Sequence, residues 1–305
     1  KTAYEIRPRD WSSDVCSSDL FLEAKKQPAT LRVWVNTYLG ETWEEQGESV
    51  DDYQIAERRE DWGDKLPKEV VLLTAGVDVQ DDRLEVEVVG WGRDEESWSV
   101  DYRTLWGDPS SPNVWHDLDN ILNQQFDHEL GITLTIRCAC IDSGGHHTQS
   151  VYNFVRPREG KRIFAIKGIG GEARPLISRP STNNIGRIKL FPVGVDTAKE
   201  LLYSRFKINE FGAGYCHFPE HYDAEYFRQL TAEQQVRKYH KGFLRREWQK
   251  IKTRNEALDC RIYAMAALAI LNLNVNSIAD RLEKASAIVE GQNEIQQVEQ
   301  TAPIR

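Results

Sequence analysis

The 305-residue sequence has no C-x-x-C pair, no apolar run of membrane-spanning length, no nucleotide-binding P-loop and no internal repeat. Each absence removes a class of protein. The five cysteines, Cys16, Cys138, Cys140, Cys216 and Cys260, are odd in number and lack ligand spacing, which argues against a disulfide framework and a zinc ribbon and fits reduced thiols in a cytoplasm. The longest mainly apolar stretch, Ala264 to Leu273, is far short of the roughly 20 residues that a membrane helix requires. No charged-then-apolar signal opens the chain, so no membrane partner is expected. Without G-x-x-x-x-G-K-S/T there is no P-loop here, and the glycine-rich GIGGEARP from Gly168 is too unlike one to serve.

What is present is an ordinary globular composition, 40% hydrophobic and 29% charged, enough for one large core or two modest ones. A net charge of -9 runs against nucleic-acid binding until its distribution is read. Eleven acids face four bases between Glu41 and Val70, whereas Arg237, Lys238, Lys241, Arg245, Arg246, Lys250, Lys252 and Arg254 are opposed by Glu247 alone. A solvated helix face is the ordinary explanation of such a run, and position must decide whether DNA is the other.

Along the chain, residues 9–20 (RDWSSDVCSSDL) resemble the translation of a sequencing-library adapter, so residues 1–20 are set aside as non-native. Residues 21–68 are polar, acidic and aromatic-dotted, a locally packed connector. The run VVLLTAGVDV from Val70, the alternating LEVEVVGWG from Leu84 and SWSVDYRTLWG from Ser97 predict an antiparallel three-strand meander whose first strand is the most buried. A helix over 113–129, a strand ending at Asp142, a helix over 148–155 and a strand over 162–167 follow. A hairpin is expected at 188–195, with helices at 197–206 and 222–230. The chain closes on a strong helix, NEALDCRIYAMAALAILNL, and a tail after Asn274. Three strands, helix, strand, helix, strand and a final helix is the ribonuclease-H-like plan, an α/β fold with a mixed sheet flanked by helices.

Three acids stand out in that plan. Asp78 interrupts the most apolar strand, where an unpaired carboxylate costs several kcal/mol, about as much as any single defect tolerates, so it requires a cation, a salt bridge or exposure. Asp142 ends a strand before Ser143-Gly144-Gly145; alone it reads equally as a helix cap or Asx turn. Glu256 and Asp259, three apart, share a face at the start of the last helix. Together these acids are expected to converge on one edge of the sheet as hard-oxygen ligands for two Mg²⁺ or Mn²⁺ ions, the chemistry of phosphodiester hydrolysis. The basic run then leads directly into the last acid pair and gains a role beside DNA backbone, with Lys167 as a further neighbour. His146 and His147 read as surface residues at a helix start, and Cys138 and Cys140 as packing residues on one strand face.

The strings LRVWVNTYLGETWEE, AGVDVQDDRLEVEVVGWG, CIDSGGH, AIKG-x-GG and RNEALDCRIYAMAAL together resemble the lambda-like large terminase subunits of tailed bacteriophages, over about Phe21 to Leu273. The resemblance implies that residues 21–68 are the end of a packaging ATPase and its linker, residues 69–275 a ribonuclease-H-like nuclease domain, and residues 276–305 a docking or disordered tail. It implies a Mg²⁺/Mn²⁺-dependent endonuclease that cuts concatemeric viral DNA, leaving 5′-phosphate and 3′-hydroxyl ends. Catalytic and metal-binding acids map onto Asp78, which would bridge both ions, Asp142, Asp259 and, as a helper, Glu256. Implied partners are double-stranded DNA, the small terminase subunit and the portal protein, in the cytoplasm of an infected bacterium and transiently on the procapsid, with oligomers only in the full-length motor. A non-catalytic DNA- or portal-docking module and another ribonuclease-H-like nuclease, an integrase or resolvase, are the alternatives.

Overall fold

A computed structural model describes residues 17–25, 33–39, 44–46, 50–182, 187–240 and 243–287. The chain divides into two compact units, a small one of residues 1–47 with 235–247, and a large one of residues 48–234 with 248–305. The large unit takes in residues from 48 onward, with Ile55 buried in its core.

In the small unit the described elements begin with helix α1 (Ser17–Ala24) and strand β1 (Glu44–Gln46). Of the adapter-like segment, residues 9–16 lie outside the described residues and Ser17 to Leu20 open α1.

The large unit opens with a short helix α2 (Asp52–Ala56), capped by the Asp51 side chain, and strand β2 (Arg59–Glu60). The predicted meander follows as β3 (Leu72–Val79), β4 (Arg83–Trp91) and β5 (Ser97–Trp106), antiparallel in register Asp78↔Glu85 and Glu85↔Thr104. Helix α3 (Pro112–Leu122) stops seven residues before the sequence-drawn end, and the remaining residues form a short strand, β6 (Gln125–Asp127), antiparallel to β7 (Thr133–Asp142). Helix α4 (Thr148–Val155) has the expected bounds and leads to β8 (Ile163–Ile169).

The long segment that follows departs from expectation. Instead of a hairpin at 188–195 there is a two-residue strand β9 (Ser181–Thr182) beside β10 (Lys189–Gly194), and β10 runs parallel to β8. Helix α5 (Val195–Arg205) is followed by β11 (Cys216–Pro219), which sequence periodicity had not revealed, and by helix α6 (Ala224–Leu230). The basic run is not a helix face: Arg237 and Lys238 fall on β12 (Glu233–His240) and Arg245, Arg246 and Lys250 on β13 (Phe243–Lys250), in a three-stranded sheet ordered β1-β12-β13, while Lys252 and Arg254 follow β13. Helix α7 (Glu256–Leu271) and a bent continuation, α8 (Val275–Ala287), end the described chain, with Val275 and Ala279 of α8 buried. No single helix among the described residues is long and apolar enough to cross a membrane.

The main sheet is mixed, in the order β2-β11-β5-β4-β3-β7-β8-β10-β9, with β6 on the flank of β7. Alternation along its strands splits the core into two layers. Leu73, Ala75, Val77, Leu84, Val86 and Val88 pack with α3 and α4 on one face. Leu72, Val89, Trp91, Cys138 and Cys140 pack with α5, α6 and α7 on the other. Residues two apart on a strand share a face, so Asp78 and Asp142 belong to the second layer, beneath α7.

Helix α7 is no ordinary amphipathic helix. It is buried on nearly every side, and Arg261, fully buried, donates to Ser97 Oγ at 2.7 Å and Ser99 Oγ at 2.9 Å while facing Glu87 at 3.3 Å. Its approach to the sheet is set by Gly76, where an added Cβ would stand 1.9 Å from the Cys260 carbonyl oxygen. Thr74 Oγ1 reinforces the contact by donating to the Ala264 carbonyl at 2.8 Å.

Candidate functional site

Parallel pairing of β3 with β7, in register Val77↔Ile141, brings Asp78 and Asp142 side by side at the carboxyl ends of adjacent strands. These strands lie in the middle of the sheet. The acids therefore meet at its centre and not on a lateral edge, because β4 and β5 on one side and β8 and β10 on the other flank the pair. Close seating of α7 at Gly76 sets the first turn of that helix, with Asp259, over the same face.

The three aspartates feel one another. Asp78, 4% exposed, has its carboxyl pushed up to about 7, first by burial and then by the charges of Asp142, Glu256 and Glu85, against a stabilising bond from Gln80 Nε2 at 2.5 Å. Burial likewise raises Asp142, opposed by the Gly144 and Ser143 amides and by the charge of Lys167. Asp259 is raised well above the ordinary range by burial and then by Asp78, with Lys199 acting in the opposite direction. Asn255 Nδ2 donates to Asp259 Oδ2 at 2.9 Å.

This pattern has a sign that can be tested. A carboxyl harder to ionise in the folded than in the unfolded chain favours folding while protonated, so its stabilising contribution is complete below about pH 4 and is lost as pH rises through about 7. In chelator, the urea midpoint of the protein is expected to be lower at pH 8 than at pH 6; an equal or higher midpoint at pH 8 would refute the electrostatic picture.

Glu256 reaches the same face but is engaged elsewhere. Its Oε1 accepts from Arg83 Nη2 at 2.7 Å and its Oε2 from Arg254 Nε at 3.2 Å. Both arginines also bind the fully buried Glu85, Arg83 through Nε at 2.7 Å and Arg254 through Nη2, and Tyr102 donates to the second Glu85 oxygen. The result is a closed ring of two acids and two arginines tying β4 to the start of α7.

Of the basic run, Arg254 is drawn into this cluster. Lys252 binds Asp52 at 3.0 Å and Thr231 at 2.9 Å, and Lys250 Nζ binds Asn255 Oδ1 at 2.6 Å. Arg237, Lys238, Arg245 and Arg246 belong to the small unit, and Lys241 lies outside the described residues. Lys167 is exposed beside Asp142. His146 and His147 both face Asp81, at 3.1 and 3.6 Å, on the surface turn beyond Asp142. Cys138 and Cys140 are buried core residues.

Sequence reasoning missed Gln80, Arg83, Glu85, Asn255, Glu233 and Lys199. Glu85 alternates with apolar neighbours like a half-exposed strand residue, and Asn255 reads as a helix cap. Only the basic spacing before Glu256 pointed toward one of the partners, Arg254.

One buried carboxylate, Asp78, and two half-buried ones, Asp142 and Asp259, supply the hard oxygens that Mg²⁺ and Mn²⁺ take, and a cation relieves the repulsion among them, so the donor chemistry fits such ions. Among the described residues, however, no three His, Cys, Asp or Glu are gathered closely enough to hold an ion as they stand. Gln80 and Asn255 each hold one oxygen of Asp78 and Asp259.

Comparison with known proteins gives a consistent result. The family described as terminase large subunit gpA, endonuclease domain, matches residues 15–281. The large terminase subunit of Escherichia phage lambda is 37% identical over 258 residues, covering 82% of this chain and 40% of the relative. That of Enterobacteria phage P21 is 38% identical over 261 residues, with the same coverage of each chain. The chain thus spans about two-fifths of the length of these relatives. No solved structure matches it.

Proposed function

Because the chain belongs to the terminase large-subunit gpA endonuclease-domain family, we propose that it is a metal-dependent endonuclease acting on double-stranded DNA during viral genome packaging. The observation that carries this reading is the approach of Asp259, in the first turn of α7, to Asp78 and Asp142 on the adjacent strands below, each carboxyl raised by burial and, for Asp78 and Asp259, by its neighbours. Such an arrangement opposes its own ionisation and therefore favours a divalent cation.

Asp78, Asp142 and Asp259 are the residues that would hold two ions, Mg²⁺ or Mn²⁺, and when bound the ions would supply charge stabilisation for hydrolysis of a phosphodiester. Glu256 joins them only by giving up an arginine, so its first task is to hold Arg83 and Arg254 in place. Arg254, about one-third exposed and already beside the acids, is suited to steady a phosphate next to the bond being cut. Lys167 contributes positive charge on the Asp142 side. A mixed sheet with helices on both faces and acids at its centre supports a ribonuclease-H-like fold, which we propose for this domain.

Within a packaging motor the partners would be the small terminase subunit and the portal, in the host cytoplasm and on the procapsid. Supercoiled plasmid incubated with the full chain is expected to be nicked and linearised in Mn²⁺ and untouched in chelator. DNA binding without cutting at any Mg²⁺ or Mn²⁺ concentration would replace this reading with a docking module, and preference for branched over linear duplex would redirect it to a resolvase.

A further inference from the structure

Asn255 occupies the N-cap position of α7, yet its side chain caps nothing. Asparagine is favoured there because its oxygen accepts a bond from an orphan amide of the first turn, and the stability of the helix ordinarily depends on that bond. Here the side-chain oxygen faces Lys250 Nζ at 2.6 Å. The amide nitrogen is divided between two carboxylates, Asp259 Oδ2 at 2.9 Å and Glu233 Oε1 at 3.1 Å. This uses both N–H donors and one acceptor of the amide. Its orientation is fixed by charge, since a flipped amide would set its oxygen against two acids and its nitrogen against an ammonium.

Behind Asn255 the support is rigid. Glu233 is buried and bound through its other oxygen to Lys199 Nζ at 2.6 Å, and Lys199 is itself buried. An isolated buried lysine or glutamate would be costly, whereas this pair is anchored and leaves one Glu233 oxygen free to brace the amide. The chain of contacts therefore runs from Lys199 through Glu233 and Asn255 to Asp259, with exposed Lys250 holding the amide from its other side.

We propose that Asn255 is the positioning residue of the site: it is withdrawn from helix capping to fix the plane of the Asp259 carboxylate, and the Lys199–Glu233 pair fixes Asn255. The inference rests on the metal-dependent reading above and assigns Asn255 no contact with substrate. Residues that orient a ligand in this way contribute through geometry, so their loss is felt in cation affinity before it is felt in the fold.

Serine is the discriminating replacement because it caps helices as well as asparagine but carries no N–H to hold Asp259. Mn²⁺ alone, without DNA, is titrated into the full chain by calorimetry, and melting is followed separately in chelator. Asn255→Ser is expected to melt in chelator at or above the wild-type temperature and to bind Mn²⁺ about 10–100-fold more weakly. Wild-type Mn²⁺ affinity in the variant overturns the proposal, as does a fall in metal-free melting temperature that identifies Asn255 as structural. Failure of the wild-type chain itself to bind Mn²⁺ overturns the metal-dependent reading and this inference with it, an outcome visible before any variant is compared.

Discussion

Replacing Asp78 by asparagine is expected to abolish Mn²⁺-dependent plasmid cleavage, by on the order of a thousand-fold or more, and at the same time to raise the metal-free stability of the protein at pH 8. The two effects have one cause. Asp78 is buried, with charges from Asp142, Glu256 and Glu85 all opposing its ionisation. An asparagine has nearly the same shape, accepts the Gln80 bond through its carbonyl and removes the charge that burial penalises. It also removes the central anionic ligand that we assign. A variant that merely damaged the fold would lose activity and stability together. Wild-type nicking rates in Asp78→Asn would end the catalytic assignment, and a lower urea midpoint at pH 8 would end the electrostatic one.

Gly76→Ala is expected to be among the most damaging single-methyl additions available in this chain, destabilising it by about 3 kcal/mol or more, at the upper end of what overpacking a core usually costs. A Cβ there would stand 1.9 Å from the Cys260 carbonyl oxygen, 2.5 Å from the Ala264 nitrogen and 2.9 Å from the Cys260 carbonyl carbon. All three are backbone atoms of α7, so no side chain can swing aside. The helix must lift from β3, and with it go the Thr74 bond to Ala264 and the seating of Arg261 against Ser97 and Ser99. Denaturant titration measures the loss. A variant within about 1 kcal/mol of wild type, well below ordinary overpacking, would show that α7 can slide and that the placement of Asp259 over Asp78 is not set at Gly76.

Much of the architecture was legible in the sequence because it is written in local periodicity. The three strands of the meander, the strand ending at Asp142, the helix from Thr148 and the final helix repeat their apolar residues at strand or helix spacing, and all appear with close to the expected bounds. Periodicity failed where pairing decided the conformation. The basic residues from Arg237 onward carry no apolar stripe, so their strand character depends on β1 and on each other. Strand β11 is only four residues long and exists because β5 and β2 offer it edges on both sides.

Burial of charge was the least legible feature. Glu85 and Glu87 alternate with Leu84, Val86 and Val88 as on a strand with one wet face, yet both are fully buried because α7 covers that face and carries Arg261 into it. The ion pairs of Glu256 were equally illegible: its oxygens accept from Arg83 and Arg254, and Arg83 lies on a separate element that no helical spacing could have paired with it.

By itself the sequence determined the element order, the strand carrying Asp78, the turn after Asp142 and the helix carrying Asp259, because each depends on a few adjacent residues and their intrinsic preferences. Only the tertiary structure decided that the acids meet at the centre of the sheet, that Asn255 serves Asp259 instead of its helix, and that Arg254 joins the cluster. Those outcomes depend on strand order, on the close approach at Gly76 and on charges brought together from distant parts of the chain, none of which is a local property.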